Sequence, residues 1–222
     1  MSGEPHGPVP RGGSGVTVIL KISIVNSVIV CNTIDMELIL TDIERMREVA
    51  SSQHGVISRK QALSAGVSSE SIRQLAFRGR IERVVQGIYR VPQACEDDKT
   101  ALQIAVLWTG RDEAVLGFET ALYFYGLCDY APQKVHIIVP AKARIRRSSG
   151  DGYILHYLDL APDDVCMHDG LRVTTPLRSL IDSKSSGVSQ TVLSNAFERA
   201  AERGLILGDQ LDALASQLEI EQ

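Results

Sequence analysis

The stretch SRKQALSAGVSSESIRQLAFRGRIERVVQGIYRV, Ser58 to Val91, decides the fold. Ser58-Arg59-Lys60-Gln61 is a capping box, in which the Ser hydroxyl and the Gln side chain satisfy amides that a first helical turn leaves unpaired. The helix it starts is short, with Ala62, Leu63 and Ala65 as its apolar positions. Gly66 ends it, because a left-handed residue can turn the chain sharply. Val67 and Ile72 bracket the next cap, Ser68, at the spacing of a hydrophobic staple, and a third helix is predicted from Ser69 to Gly79. On that helix Ile72, Leu75 and Ala76 share the inner face, while Glu70, Arg73, Gln74 and Arg78 point outward. Phe77 falls on the same outer side and is expected to pack under the hairpin downstream of it. Two helices across a glycine turn form a helix-turn-helix, whose second member enters a major groove about 12 Å wide.

GRIERVVQGIYRV, Gly79 to Val91, then alternates β-branched and aromatic residues around Gln86-Gly87, the signature of a hairpin with Gly at the turn. Attached to a helix-turn-helix, it is a wing. Upstream, Thr41-Asp42-Ile43-Glu44 is another capping box, and Ile43, Met46, Val49 and Ala50 form one apolar stripe. A first helix is predicted from Asp42 to about Gln53, stopping at Gly55, with Val56 and Ile57 as a short apolar link.

Charge separates this module from the remainder. Residues 41 to 92 hold nine Lys/Arg against five Asp/Glu, net +4, whereas residues 93 to 222 hold twelve against nineteen, net −7. The overall charge of −4 therefore conceals a basic module joined to an acidic one. Arg binds guanine bidentately and Gln binds adenine, so Arg73 and Gln74 are expected to read bases. Arg59, Lys60, Ser69, Arg78, Arg80, Arg83 and Arg90 complete the expected DNA-binding set, the wing residues against phosphates. Double-stranded operator DNA is the expected partner.

Residues 1 to 40 stand apart as a poorly defined extension. Residues 1 to 15 are rich in Gly, Pro and Ser. Val16 to Ile34 is apolar and β-branched, but Lys21, Ser23, Asn26 and Ser27 interrupt it, no A-x-A site comes after it, and it is too short and polar to span a bilayer. It reads as an extra strand, or as sequence upstream of a start at Met36. Cys31, Cys95, Cys128 and Cys166 are spaced too widely and irregularly for a disulfide scaffold or zinc module, so a reducing, cytoplasmic setting is expected.

HGVISRKQALSAGVSSESIRQLAFRGRIERVVQGIYRVP, His54 to Pro92, resembles the N-terminal winged-helix domain of AbiEi-family antitoxins of type IV toxin-antitoxin systems. Its Gly-aliphatic-Tyr ending to the wing is the most specific part. AVLGFETALYFYGL (Ala114 to Leu127), KVHIIVP (Lys134 to Pro140) and DGLRVTTPLRSLID (Asp169 to Asp182) resemble the second domain of that family. The region after Asp182 matches weakly, and residues 1 to 40 have no counterpart. The resemblance implies a DNA-binding antitoxin that represses its own operon and neutralises a nucleotidyltransferase-like toxin without needing a stable complex with it.

Residues 93 to 222 read on their own as an α+β domain. Lys99 to Thr109 is a helix with Leu102, Ala105, Val106 and Trp108 inward. Ala114 to Gly117 is a buried strand and Glu119 to Tyr125 a helix ended by Gly126. Val135 to Val139 and Tyr153 to Leu158 are strands, Asp169-Gly170 a hairpin turn, and Thr175-Pro176 a cap with a first-turn proline after it. Helices from about Thr191 to Arg203 and Asp209 to Leu218 finish it. The fold expected is thus α+β, a winged helix-turn-helix followed by a mixed α/β antitoxin-like domain.

No catalytic constellation emerges, and no cofactor or metal is expected. Arg144, Arg146 and Arg147 beside Ser148-Ser149-Gly150 lack a phosphate-loop context, and read as a solvated loop or as a second patch on DNA backbone. Cys166-Met167-His168 has no second pair at zinc spacing, so Cys166 reads as core. Alternation sets His136 opposite Val135 and Ile137, toward solvent. Asp163, Asp164 and Asp169 read as acidic loop residues rather than a magnesium cluster. Two other functions remain open: a ligand-responsive winged-helix transcription factor, and a nucleic-acid-processing enzyme tethered to a winged helix.

Overall fold

A computed structural model describes residues 42–94, 97–145 and 151–219. The Thr41 half of the first capping box, Cys31, Cys95, Arg146 and Arg147 lie outside the described residues.

The first helix, α1, covers residues 42–51. After it come β1 (Val56–Ser58), α2 (Arg59–Ser64), α3 (Ser69–Phe77), β2 (Glu82–Val85) and β3 (Ile88–Arg90). The link Val56-Ile57 is therefore a strand: β1 pairs antiparallel with β3, and the hairpin β2–β3 completes a three-stranded sheet in the order β1-β3-β2. Three residues are too few to show a period of two, and pairing with the wing creates this strand. The Ser58 box is complete, its hydroxyl accepting from the Gln61 amide at 3.2 Å while Gln61 Oε1 accepts from the Ser58 amide at 2.9 Å. Gly66 turns the chain at φ +85° and Gly87 turns the wing at φ +78°. The wing turn also serves α2, since the Arg59 amide donates to the Gly87 carbonyl at 2.7 Å. Ile43, Met46, Ala50, Ile57, Ala62, Ile72, Leu75 and Tyr89 meet in one core. Of the apolar positions expected on α2, only Ala62 is buried; Leu63 is exposed and Ala65 half-buried, because a six-residue helix sets a single turn against the core.

After α4 (Thr100–Trp108) come β4 (Val115–Leu116), α5 (Phe118–Phe124), β5 (Val135–Val139), β6 (Tyr153–Tyr157), β7 (Val165–His168), β8 (Leu171–Thr174) and helices α6 (Pro176–Ser185), α7 (Gln190–Glu202) and α8 (Gly208–Leu218). The strands form a mixed sheet in the order β6-β5-β4-β8-β7. The expected Asp169-Gly170 turn joins β7 to β8. Ala105 of α4 and Ala121 of α5 pack on Leu116, Ile137, Val139 and Val173 from one side of the sheet. The last helices pack on α5 and α6 through Leu122, Leu180, Leu193, Phe197 and Leu214.

The DGLRVTTPLRSLID stretch owes its polar residues to this architecture. Thr175 caps α6 ahead of Pro176. Buried Thr174 and Ser179 bond to each other through their hydroxyls at 2.7 Å, and Arg178 holds Asp182 and Asp164, each at 2.9 Å. Burial pushes the Asp182 carboxyl up against the pull of Arg178. Such groups are buried only because each has a partner.

Among the described residues the winged helix and the sheet domain are in contact at, among other places, a buried seam and a polar cluster. Val56 of β1 and Ile88 of β3 share a buried cluster with Ile104 and Trp108 of α4, and the Trp108 ring lies 4.8 Å from that of Tyr153. In the polar cluster, His54 Nδ1 is 2.8 Å from Asp97 Oδ2 and its Nε2 is 2.8 Å from the Asp169 carbonyl, while Lys99 pairs with Asp169.

Candidate nucleic-acid interface

Helix α3 divides its residues as its periodicity requires. Ile72 and Leu75 are buried; Glu70, Arg73, Phe77 and Arg78 are exposed and Gln74 is half-buried. Ser68 caps the helix, its hydroxyl accepting from the Ser71 amide at 3.0 Å. The two expected base-reading side chains converge on Glu70. Arg73 donates to it twice, at 3.0 and 2.6 Å, and Gln74 donates to Glu70 Oε1 at 3.1 Å. Hydrogen bonds from Arg73 and then Gln74 pull the Glu70 carboxyl down to about 2, so it is ionised at neutral pH. A base edge that engages Arg73 or Gln74 has to replace these exposed, solvent-screened bonds.

Phe77 does not pack under the wing as expected: it is 90% exposed. The chain leaves the helix through Gly79 and enters the hairpin with Ile81, not Phe77, in the core.

Arg59 and Ser69 come together at the starts of the two helices, the guanidinium donating to the hydroxyl at 2.8 Å. Arg78, Arg80 and Arg83 are exposed, and Arg90 pairs with Glu82 at 2.8 Å. Between α2, the wing and the end of α4 lies a cleft of about 660 Å³, whose lining includes Arg59, Lys60, Arg83, Arg111 and Asp112. Lys60 bonds Asp112 across it at 2.5 Å. Arg111 in turn donates to the Arg144 carbonyl at 3.3 Å, which places exposed Arg144 at the edge of the same region. Arg111 escapes a reading along the chain, since its only local signal is a charge after the Gly110 stop; the tertiary fold sets it beside α2 and the wing.

The other residues singled out in the sheet domain lie elsewhere. His136 is buried, not solvent-facing, because the far side of the sheet is also covered. Its Nδ1 is 3.1 Å from His156 Nε2, its Nε2 is 3.6 Å from Glu119, and the Phe118 ring stacks on His156. Burial holds the His136 imidazole below its ordinary range; burial and then the His136 charge push His156 down to about 4. Cys166 is half-buried, with its sulfur 3.0 Å from the Tyr125 hydroxyl. Asp164 is taken by Arg178 and Asp169 by Lys99, and Asp163 is exposed. Among the described residues no group of three or more His, Cys, Asp and Glu is arranged to hold a metal ion, and no helix is long and apolar enough to cross a membrane.

Set against known proteins, residues 44–92 match the family described as "Transcriptional regulator, AbiEi antitoxin". No curated protein matches the chain. Among solved structures, the RV2827C protein from Mycobacterium tuberculosis is similar at 15% identity and a TM-score of 0.40, over 80% of this chain and 81% of that one. The matched residues run from α1 to the end of the wing, and this segment folds as a winged helix-turn-helix.

Proposed function

We propose that this chain is a DNA-binding transcriptional autorepressor and the antitoxin of a type IV toxin-antitoxin system, acting on operator DNA in the cytoplasm against a nucleotidyltransferase-like toxin. The observation that carries the reading is the outer face of α3, which presents Arg73, Gln74 and Arg78 away from a core that Ile72 and Leu75 hold in place. A helix so anchored offers a rigid reading edge, and the basic cleft beside it offers phosphate contacts. In this reading Arg73 and Gln74 read bases, while Arg59, Lys60, Ser69, Arg78, Arg80, Arg83 and Arg90 position the module. Arg111 and Arg144 extend the backbone contact from the sheet domain. The chain works as a regulator and not as an enzyme.

The test is anisotropy titration of the full chain on its own promoter and on a scrambled duplex. Tight binding to the promoter, with Arg73→Ala or Gln74→Ala costing about 1 to 3 kcal/mol of discrimination, is expected. Equal affinity for both duplexes overturns the repressor role. Growth arrest by a co-expressed nucleotidyltransferase-like toxin from the same operon should be relieved by the chain; persistent arrest overturns the antitoxin role. Magnesium or manganese with DNA, RNA or nucleoside triphosphates should leave each substrate unchanged, and turnover lost on changing one acidic residue overturns the non-enzymatic reading.

A further inference from the structure

Phe77 is the most exposed of the large apolar side chains among the described residues, at 90%. Its place on α3 is as informative as its exposure. Arg73 and Gln74 each lie three or four residues from both Glu70 and Phe77, so the four share a stripe along the outer face. Phe77 lies in line with the two reading side chains, about one helical turn, roughly 5 Å, beyond them. Its flanks are basic: Arg73 precedes it on the stripe, and exposed Arg78 and Arg80 come after it.

We propose that Phe77 is a specificity-determining residue that reads a thymine beside the base pair taken by Arg73 or Gln74. The inference rests on the DNA-reading role proposed above for α3. A phenyl ring has no donor or acceptor to offer a base edge. In the major groove the apolar feature that distinguishes one base from the others is the C5 methyl group of thymine. A displacement of about 5 Å along the groove corresponds to one or two base pairs at about 3.4 Å each, so the ring reaches a base next to the one hydrogen-bonded by its neighbours. Arg78 and Arg80 then meet the phosphates that border the groove. A second copy of the chain is the poorer occupant, because a two-fold contact through this face would set Arg73, Arg78 and Arg80, with only Glu70 to offset them, against the same net-positive set in the other copy.

The experiment uses the full chain and the promoter segment it protects in a footprint, made once with thymine and once with uracil, which removes only the methyl groups. Wild-type protein should bind the uracil duplex about fourfold more weakly for each methyl group that Phe77 covers. Phe77→Ala should show that loss already on the thymine duplex and should no longer distinguish the two, while its affinity for a scrambled duplex stays unchanged. Phe77→Leu should keep part of the discrimination. An unaltered thymine-to-uracil ratio in Phe77→Ala overturns the proposal. So does a fall in sedimentation coefficient of the DNA-free variant, which would assign Phe77 to a contact between copies. Wild-type protein that fails to prefer its promoter removes the reading of α3 as well, and is distinguished by the scrambled control.

Discussion

Ile88→Ala tests whether the winged helix and the sheet domain unfold as one body. Ile88 is fully buried on β3, paired with Ser58 and Val85, and it shares a cluster with Val56, Ile104 and Trp108. Truncation removes three carbons from a seam between two elements and leaves a cavity that α4 and the wing can close only in part, a loss of about 2 to 5 kcal/mol. With a urea dependence of about 2 kcal/mol per molar, the midpoint should fall by about 1 to 2.5 M. The chain's single tryptophan, Trp108, lies in this seam and is a built-in reporter. Urea titrations followed by Trp108 fluorescence and far-ultraviolet circular dichroism on the same samples should give coincident transitions for the wild type. In Ile88→Ala the fluorescence midpoint should move by the full amount. Leu63→Ala, at an exposed position on α2, should move it by no more than about 0.5 kcal/mol equivalent. A fluorescence midpoint that stays at the wild-type value in Ile88→Ala, while dichroism shows an early loss, would refute the coupling through the seam.

A Cβ on Gly117 would stand 2.5 Å from Ile138 Cδ1 and 3.1 Å from its Cγ1, so Gly117→Ala should cost about 1 to 3 kcal/mol in chemical denaturation. Ile138→Val removes Cδ1 and should absorb much of that loss; additive effects would show that the clash is not the cause. Because the folded chain holds His156 near 4 and the unfolded chain returns it to about 6.5, the unfolded state binds the extra proton between these values. Stability is therefore full above pH 6.5 and falls as the pH drops toward 4, by about 1 kcal/mol once solvent screening of the half-open ring is allowed for. His156→Phe should flatten the melting temperature across that window, and an unchanged slope would assign the effect to another group. Arg111→Ala should lower affinity for promoter and scrambled duplexes alike and reduce the slope of log affinity against log salt by about 0.9, whereas an unchanged slope excludes a phosphate contact there.

The winged helix was legible in the sequence because its determinants are local. The Ser58–Gln61 box, the Ser68 cap and the turns at Gly66 and Gly87 each involve residues within a few positions of one another, and the inner face of α3 comes from spacings of three and four. The hairpin at Asp169-Gly170 and the Thr175-Pro176 start of α6 are legible for the same reason. The tertiary structure alone decided what depends on distant partners. Val56–Ser58 becomes a strand only by pairing with β3, about thirty residues away. Alternation correctly separates His136 from its neighbours, but a period of two cannot tell which face is wet, and here Phe118 and His156 cover the second face. Phe77 is left bare because Ile81, after the turn, takes the place in the core beneath the wing. Arg111 joins Arg59, Lys60 and Arg83 because α4 packs on the wing through Ile104 and Trp108, a contact between surfaces that no spacing along the chain encodes.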